Sequence, residues 1–239
     1  KRMPEHRMIH MSTYMNRRFL GDAEIRRYED QYPPGTLDHK RWVLGEVVAL
    51  AGAIYPEYNP AVHVVDEAPT LFHFGHGLDL GTIDPNVLLV GGMDRLGRVY
   101  IIGEYYSPPN TSVQELNEAI VTVTSHTGTR GWPIYSDHSA TSRAGLAYEG
   151  TYTELADKDV KRGIDFVRKR LREQTLFIKR GCAPHLESEL QLYEWQKGMT
   201  GVEKPAHAHS HSPDSLRYLI MGLDGNDDDK DWTDLSRSW

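Results

Sequence analysis

Phe74-Gly75-His76-Gly77-Leu78-Asp79-Leu80-Gly81-Thr82-Ile83-Asp84-Pro85-Asn86-Val87-Leu88-Leu89-Val90-Gly91-Gly92-Met93 is the stretch that decides how this chain folds. It reads as an apolar strand, a glycine-bounded turn and a second strand of Val and Leu, with one carboxylate, Asp79, set among hydrophobic neighbours. An ionised Asp in a sheet interior costs several kcal/mol unless a cation or a hydrogen-bond donor compensates it. The position therefore points to a metal site; a structural Asp capping the turn toward Thr82 is the plainer alternative.

Downstream, the turn Asp94-Arg95-Leu96-Gly97 leads into Arg98-Val99-Tyr100-Ile101-Ile102-Gly103-Glu104-Tyr105-Tyr106, a third strand that pairs back as a meander. Pro108 and Pro109 end it, and residues 112–126 predict a helix with Val113, Leu116, Ile120 and Val123 on one face. Residues 131–137 give a short fourth strand closing on a second acid, Asp137, followed by a helix over 141–147 and a polar loop to Asp157. The strongest amphipathic helix spans 158–172, with Val160, Ile164, Val167 and Leu171 inward and Lys158, Lys161, Arg162, Arg168, Lys169, Arg170 and Arg172 on its other faces. A fifth strand over 175–178 and a helix over 183–196 follow. The last helix opens at Ser212-Pro213-Asp214-Ser215-Leu216-Arg217-Tyr218, with Ser212 as cap and Pro213 in the first helical position.

Upstream, the patterns are helical. Asp22 can cap a helix through residue 28, and a longer one is expected over 38–51 with Trp42, Val43, Val47 and Leu50 apolar. The organisation expected is a mainly helical linker over 1–70, a mixed α/β domain over 71–222 with helices on both faces of its sheet, and a flexible acidic tail over 223–239.

The 239 residues, 39% hydrophobic and 26% charged, describe a soluble globular chain with enough apolar mass for a core. No apolar run reaches bilayer length and no signal peptide is visible, so no membrane role is expected. One cysteine, Cys182, excludes an internal disulfide and a multi-cysteine zinc site, which fits a reducing compartment. The chain opens at Lys1 without Met and reads as a fragment of something longer. A net charge of −7 argues against a uniformly positive surface, although a nuclease can gather carboxylates in its site and confine its Lys and Arg to one face.

Asp79, Asp137 and Asp214 stand where a sheet of this order brings them together, if the meander lies on the far side of the first strand. Asp214, near a helix start, is held ionised by unpaired amides and the helix dipole. Converging carboxylates repel, and hard divalent cations relieve that repulsion. Mg²⁺ or Mn²⁺ prefers oxygen ligands, and a pair about 4 Å apart can activate water and stabilise the leaving oxygen of a phosphodiester.

Gly77-Leu78-Asp79-Leu80-Gly81, the strand ending in Gly103-Glu104-Tyr105-Tyr106, Ser136-Asp137, and His211-Ser212-Pro213-Asp214-Ser215-Leu216-Arg217-Tyr218, in this order, resemble the nuclease domain of the large terminase subunit of tailed bacteriophages. The resemblance covers residues 71–222 and departs at Ser215, where Ala is more usual. Arg41-Trp42 to Gly45-Glu46 and Gly52-Ala53-Ile54-Tyr55-Pro56 look like the stretch joining such a nuclease to its packaging ATPase, so the resemblance makes residues 1–70 a linker or the C-terminal end of a missing ATPase domain. No G-x-x-x-x-G-K-[ST] loop occurs, so the motor itself is missing.

The family implies an RNase H-like fold and metal-dependent endonuclease cleavage of concatemeric viral double-stranded DNA, with two Mg or Mn ions on Asp79, Asp137 and Asp214. It also implies ring assembly on the portal protein, partnership with a small terminase subunit, and work in the host cytoplasm on the procapsid. His211 reads as a contact to a metal water or scissile phosphate, or as a solvated loop histidine. His207, His209 and His211 alternate as a metal-binding run or an exposed linker, and Asp84 before Pro85 is a turn residue. Glu104 reads as an acid behind the ligands or a strand-end Glu in water, and the basic helix as a DNA-backbone contact or a solvated face.

Three other readings remain open. An RNase H-like resolvase or transposase would share the chemistry, and a non-enzymatic docking module would need none of the acids. Asp79-Leu80-Gly81-Thr82 also matches the phosphate turn of the actin, sugar-kinase and Hsp70 group, whose second Asp-Gly turn is replaced here by Asp137-His138-Ser139-Ala140.

Overall fold

The computed structural model describes residues 11–32, 39, 43–45, 52–81, 83–197 and 203–225. The chain divides into two compact units, Lys1–Ala53 and Ile54–Trp239. In the first, a 3-10 turn over Thr13–Asn16 runs into α1 (Arg17–Gln31), which is kinked at Gly21 with φ 73°. Asp22 follows the kink and receives Arg17 Nε at 2.6 Å. The helix expected over 38–51 falls almost wholly outside the described residues.

The second unit opens with α2 (Pro60–His63) and β1 (Val64–Val65), then the meander β2 (His73–Asp79), β3 (Val87–Met93) and β4 (Val99–Tyr106). After it come α3 (Val113–His126), β5 (Ile134–Ser136), α4 (Ala140–Tyr148), β6 (Glu154–Leu155), α5 (Val160–Arg172) and β7 (Leu176–Lys179). The chain continues as α6 (Pro184–Leu192), β8 (Trp195–Lys197), β9 (Glu203–Pro205) and α7 (His211–Gly225). The main sheet runs β1-β7-β4-β3-β2-β5-β6, antiparallel within the meander and parallel elsewhere, as a mixed α/β fold.

Strand alternation splits the core into two layers. Val87 and Leu89 of β3 join Ile164, Val167 and Leu171 of α5, Leu186 and Leu190 of α6, and Leu216, Leu219, Ile220 and Leu223 of α7. Leu88 and Val90, the intervening residues, pack with Leu116 and Ile120 of α3 and Leu146 of α4 on the opposite face. Each such buried side chain contributes about 1.5–3 kcal/mol relative to exposure, so the sheet is held from both sides. Helix α3 begins in a capping box: Ser112 Oγ accepts from the Glu115 amide at 3.2 Å, and the Ser112 amide donates to Glu115 Oε2 at 2.9 Å.

Several elements depart from expectation for tertiary reasons. The helix expected over 183–196 ends at Leu192, because Tyr193 turns to extended backbone (ψ 121°) and its carbonyl accepts from the Ile54 amide at 2.9 Å. The loop expected before Asp157 contains the edge strand β6, and Val160 is 38% exposed instead of facing inward. Ser212 lies inside the first turn of α7; the carbonyl of Ser210 takes the Asp214 amide at 2.7 Å. Helix α7 runs through Gly225, and Asp224 pairs with Arg170 of α5. Ile54, Tyr55 and Tyr58, in the stretch read as a connector, are buried in the same core as β3 and β4, and Val64 pairs with Ile178 of β7.

Candidate active site

The site forms where β2 and β5 end side by side. Leu78 pairs with Ser136 in parallel register, and the Asp137 amide donates to the Leu78 carbonyl at 3.2 Å, so Asp79 and Asp137 leave neighbouring strand ends together. The expected placement of the meander, on the far side of β2 from β5, is what the sheet shows. Asp214 arrives from above on α7, which lies directly on β2. A Cβ at Gly77 would fall 1.9 Å from the Ser215 carbonyl oxygen, so only glycine lets the helix descend this far. Ser215 Oγ then donates to the Gly77 carbonyl at 2.8 Å.

Each acid has a basic partner. Asp79 Oδ2 receives His211 Nδ1 at 3.2 Å, Asp137 Oδ1 receives Lys158 Nζ at 2.6 Å, and Asp214 Oδ1 receives Arg217 Nη2 at 2.7 Å. Burial pushes the Asp79 carboxyl up to about 6; the His211 bond opposes the rise, and the charges of Asp214 and Asp137 add to it. At Asp137 burial also opposes ionisation, but Lys158 and the His138 amide outweigh it and hold the carboxyl below its usual range. His211 moves upward, chiefly through its bond to Asp79.

The donor set is oxygen-rich and mutually repulsive, which suits a hard divalent cation in chemistry. Among the described residues, however, no group of three His, Cys, Asp or Glu side chains is gathered closely enough to hold a metal ion.

Secondary residues resolve unevenly. His211, 14% exposed, is no solvated loop histidine. His207 is 78% exposed with Asp84 Oδ2 3.8 Å away and its ring edge-on to His211 at 5.6 Å, while His209 holds a left-handed φ of 61° in an exposed turn; the three histidines form no metal-holding group among the described residues. Asp84 sits in an exposed bend, as a turn residue would, and Thr82 lies outside the described residues.

The reading of Glu104 as a strand-end residue in water is overturned: its side chain is 3% exposed. Its carboxylate accepts from the amides of His185 (3.0 Å) and Leu186 (2.9 Å), capping α6 from β4. Glu189, which has no distinguishing signal in the sequence, does the same for α7, taking the Ser212 amide at 2.7 Å while Tyr106 OH donates to it at 3.0 Å. Arg217 was legible in principle, since an acid and a base three apart on a helix face each other.

The basic helix divides into two groups. Arg168 forms a forked pair with Glu57 (2.7 and 2.9 Å to Oε1), and Arg170, 13% exposed, pairs with Asp224 and donates to the Gly97 carbonyl at 3.0 Å. Arg162 meets Asp157 at 3.2 Å and Arg172 meets Glu57 at 3.6 Å. Lys161 and Lys169 are exposed and have no ion-pair partner among the described residues.

A mixed sheet with a central meander, parallel strands beside it, helices on both faces and acids at adjacent strand ends defines the RNase H-like fold. Within that class, the fold is that of the nuclease domain of large terminases. The chain is similar to the large terminase of a thermophilic bacteriophage, with TM-score 0.65 and 23% identity over 88% of this chain and 53% of that one. It thus spans about half the length of that protein. It is similar to the P22 large terminase nuclease domain, with TM-score 0.59 and 15% identity over 74% of this chain and 99% of the other. The bacteriophage SPP1 large terminase nuclease domain, a structure with bound Mn, matches at TM-score 0.52 and 19% identity over 67% and 95%. No family model and no curated protein matches the sequence.

Proposed function

We propose that this chain is the nuclease part of a large terminase, a divalent-metal-dependent endonuclease that cuts concatemeric viral double-stranded DNA during genome packaging. The observation that carries the reading is the convergence of Asp79 and Asp137 at paired strand ends beneath Asp214, on the fold of terminase nuclease domains. Asp79, Asp137 and Asp214 would hold the Mg or Mn ions, and the Mn-bound SPP1 domain supports that choice of metal. When bound, such ions supply charge neutralisation at a scissile phosphate and an acidified water.

The chain's own residues prepare that site. Lys158, His211 and Arg217 compensate the acids one by one, and Lys158, half exposed, is a cation at the solvent side of Asp137 that would suit a phosphate. Of the basic helix, Lys161 and Lys169, exposed and without an ion-pair partner among the described residues, are the candidates to meet the DNA backbone. The small terminase subunit, the portal protein, an ATPase motor and a ring of copies in the host cytoplasm complete the proposed setting.

The test is nicking of supercoiled plasmid in Mg²⁺ or Mn²⁺ by the wild type and by Asp79→Ala, Asp137→Ala and Asp214→Ala, each checked for fold by circular dichroism. Loss of cutting in folded variants is expected. Undiminished cutting by all three would remove the nuclease reading.

A further inference from the structure

Arg217 lies one turn after Asp214 on α7 and its side chain is 2% exposed. Nη2 donates to Asp214 Oδ1, but Nε and Nη1 are buried without any hydrogen-bond partner. The guanidinium carbon sits 5.4 Å from the centre of the Tyr218 ring. Burying a charge with two donors unsatisfied is expensive, and replacing a buried ion pair by apolar residues is often neutral or stabilising. Stability alone therefore does not account for an arginine here. Helix α5 even gives up a side chain to admit it: a Cβ at Gly163 would lie 3.2 Å from Arg217 Cδ and 2.8 Å from Met221 Sδ.

Tyr193 stands near the same carboxylate: burial, and then the charge of Asp214, push its hydroxyl upward. Tyr193 is itself fixed, by the Ile54 amide on its carbonyl at 2.9 Å and by the Tyr55 ring 6.1 Å away. We propose that Arg217 and Tyr193 are positioning residues for Asp214, holding its carboxylate in one orientation, with Ile54 and Tyr55 fixing Tyr193 from the chain that enters the nuclease unit. The inference rests on the reading of Asp214 as a metal-binding carboxylate. An acid already oriented by a buried guanidinium, with a fixed ring beside it, loses little freedom on meeting a cation, which is how outer-shell partners raise metal affinity.

The test uses the whole 239-residue chain with Arg217→Lys, Arg217→Gln and Tyr193→Phe. Mn²⁺ binding is followed by the electron paramagnetic resonance of the free ion, nicking is titrated against Mn²⁺, and melting is recorded for each variant. Arg217→Gln should raise the half-saturating Mn²⁺ concentration about tenfold or more, with Arg217→Lys and Tyr193→Phe shifted less and in the same direction. A purely structural role lowers the melting temperature and leaves the Mn²⁺ midpoint of folded protein unmoved, and that result overturns the inference. Should Arg217→Gln fail to fold, the Lys and Phe variants decide in the same way. Wild-type protein that neither binds Mn²⁺ nor nicks DNA overturns the nuclease reading and this inference together; wild-type binding with unshifted variants overturns the inference alone.

Discussion

Ser215 Oγ donates to the carbonyl of Gly77 at 2.8 Å, tying the first turn of α7 to the middle of β2 where the two backbones touch. Ser215→Ala removes one buried hydrogen bond and should cost about 1 kcal/mol. Gly77→Ala drives a methyl group into backbone and should cost about 3 kcal/mol or more, with cutting lost as α7 lifts. Urea denaturation of both variants checks this, and a Gly77→Ala protein as stable as wild type would show that the helix is not seated as described.

Glu104 supplies the negative charge at the start of α6. Glu104→Ala leaves the amides of His185 and Leu186 without their acceptor, and a loss of about 2–3 kcal/mol is expected. Glu104→Gln, which keeps an acceptor oxygen, should lose less. The two denaturation midpoints, compared directly, separate this cap from a role confined to the metal.

The basic helix should split by function. Replacing Lys161 and Lys169 by Ala is expected to weaken duplex binding and flatten its salt dependence by up to about two in the log–log slope, with melting unchanged. Replacing Arg168 or Arg170, whose guanidinium groups are committed to Glu57 and Asp224, should lower the melting temperature instead. Binding isotherms at several salt concentrations, run beside thermal melts, test both halves.

Acid should unfold the turn between β3 and β4 in a way that depends on Asp94. Burial opposes its ionisation, but the Arg98 and Leu96 amides and the Arg98 guanidinium prevail and hold its carboxyl below the usual value. A carboxyl lower in the folded state stabilises above its unfolded pKa of about 3.9, and that contribution disappears as pH falls through the folded value. Asp94→Asn should therefore be less stable at neutral pH and show a shallower decline below about pH 4. Unfolding free energies across the acid range, parallel in the two proteins, would rule this out.

A fragment beginning at residue 71 should fold poorly, while one beginning at residue 54 should fold. The shorter piece lacks Ile54, Tyr55, Tyr58 and Val64, all buried, and uncovers the β7 edge. Four side chains at about 1.5–3 kcal/mol each approach the whole stability of a domain, about 5–15 kcal/mol. Soluble yield and hydrogen exchange in β7 distinguish the two fragments.

What the sequence made legible was local or repetitive. The Val and Leu run of β3, the Asp94 to Gly97 turn and the face of α3 report their own neighbours, and they announce the meander. The adjacency of Asp79 and Asp137 was legible only on the condition that the meander lie on the far side of the first strand, which the sheet order meets. What escaped depended on partners far along the chain. Glu104 looks solvated until α6 presents its amides some eighty residues later, and the end of α6 at Leu192 is fixed by Ile54. Residues 54–65 look like a connector because too few of them stand together to show a period.

The bond from the Ile54 amide to the Tyr193 carbonyl has a mechanical meaning. Within the unit that begins at Ile54, it clamps the first residue of the strap leading to β1 onto the residue that ends α6, so these two segments are anchored as one.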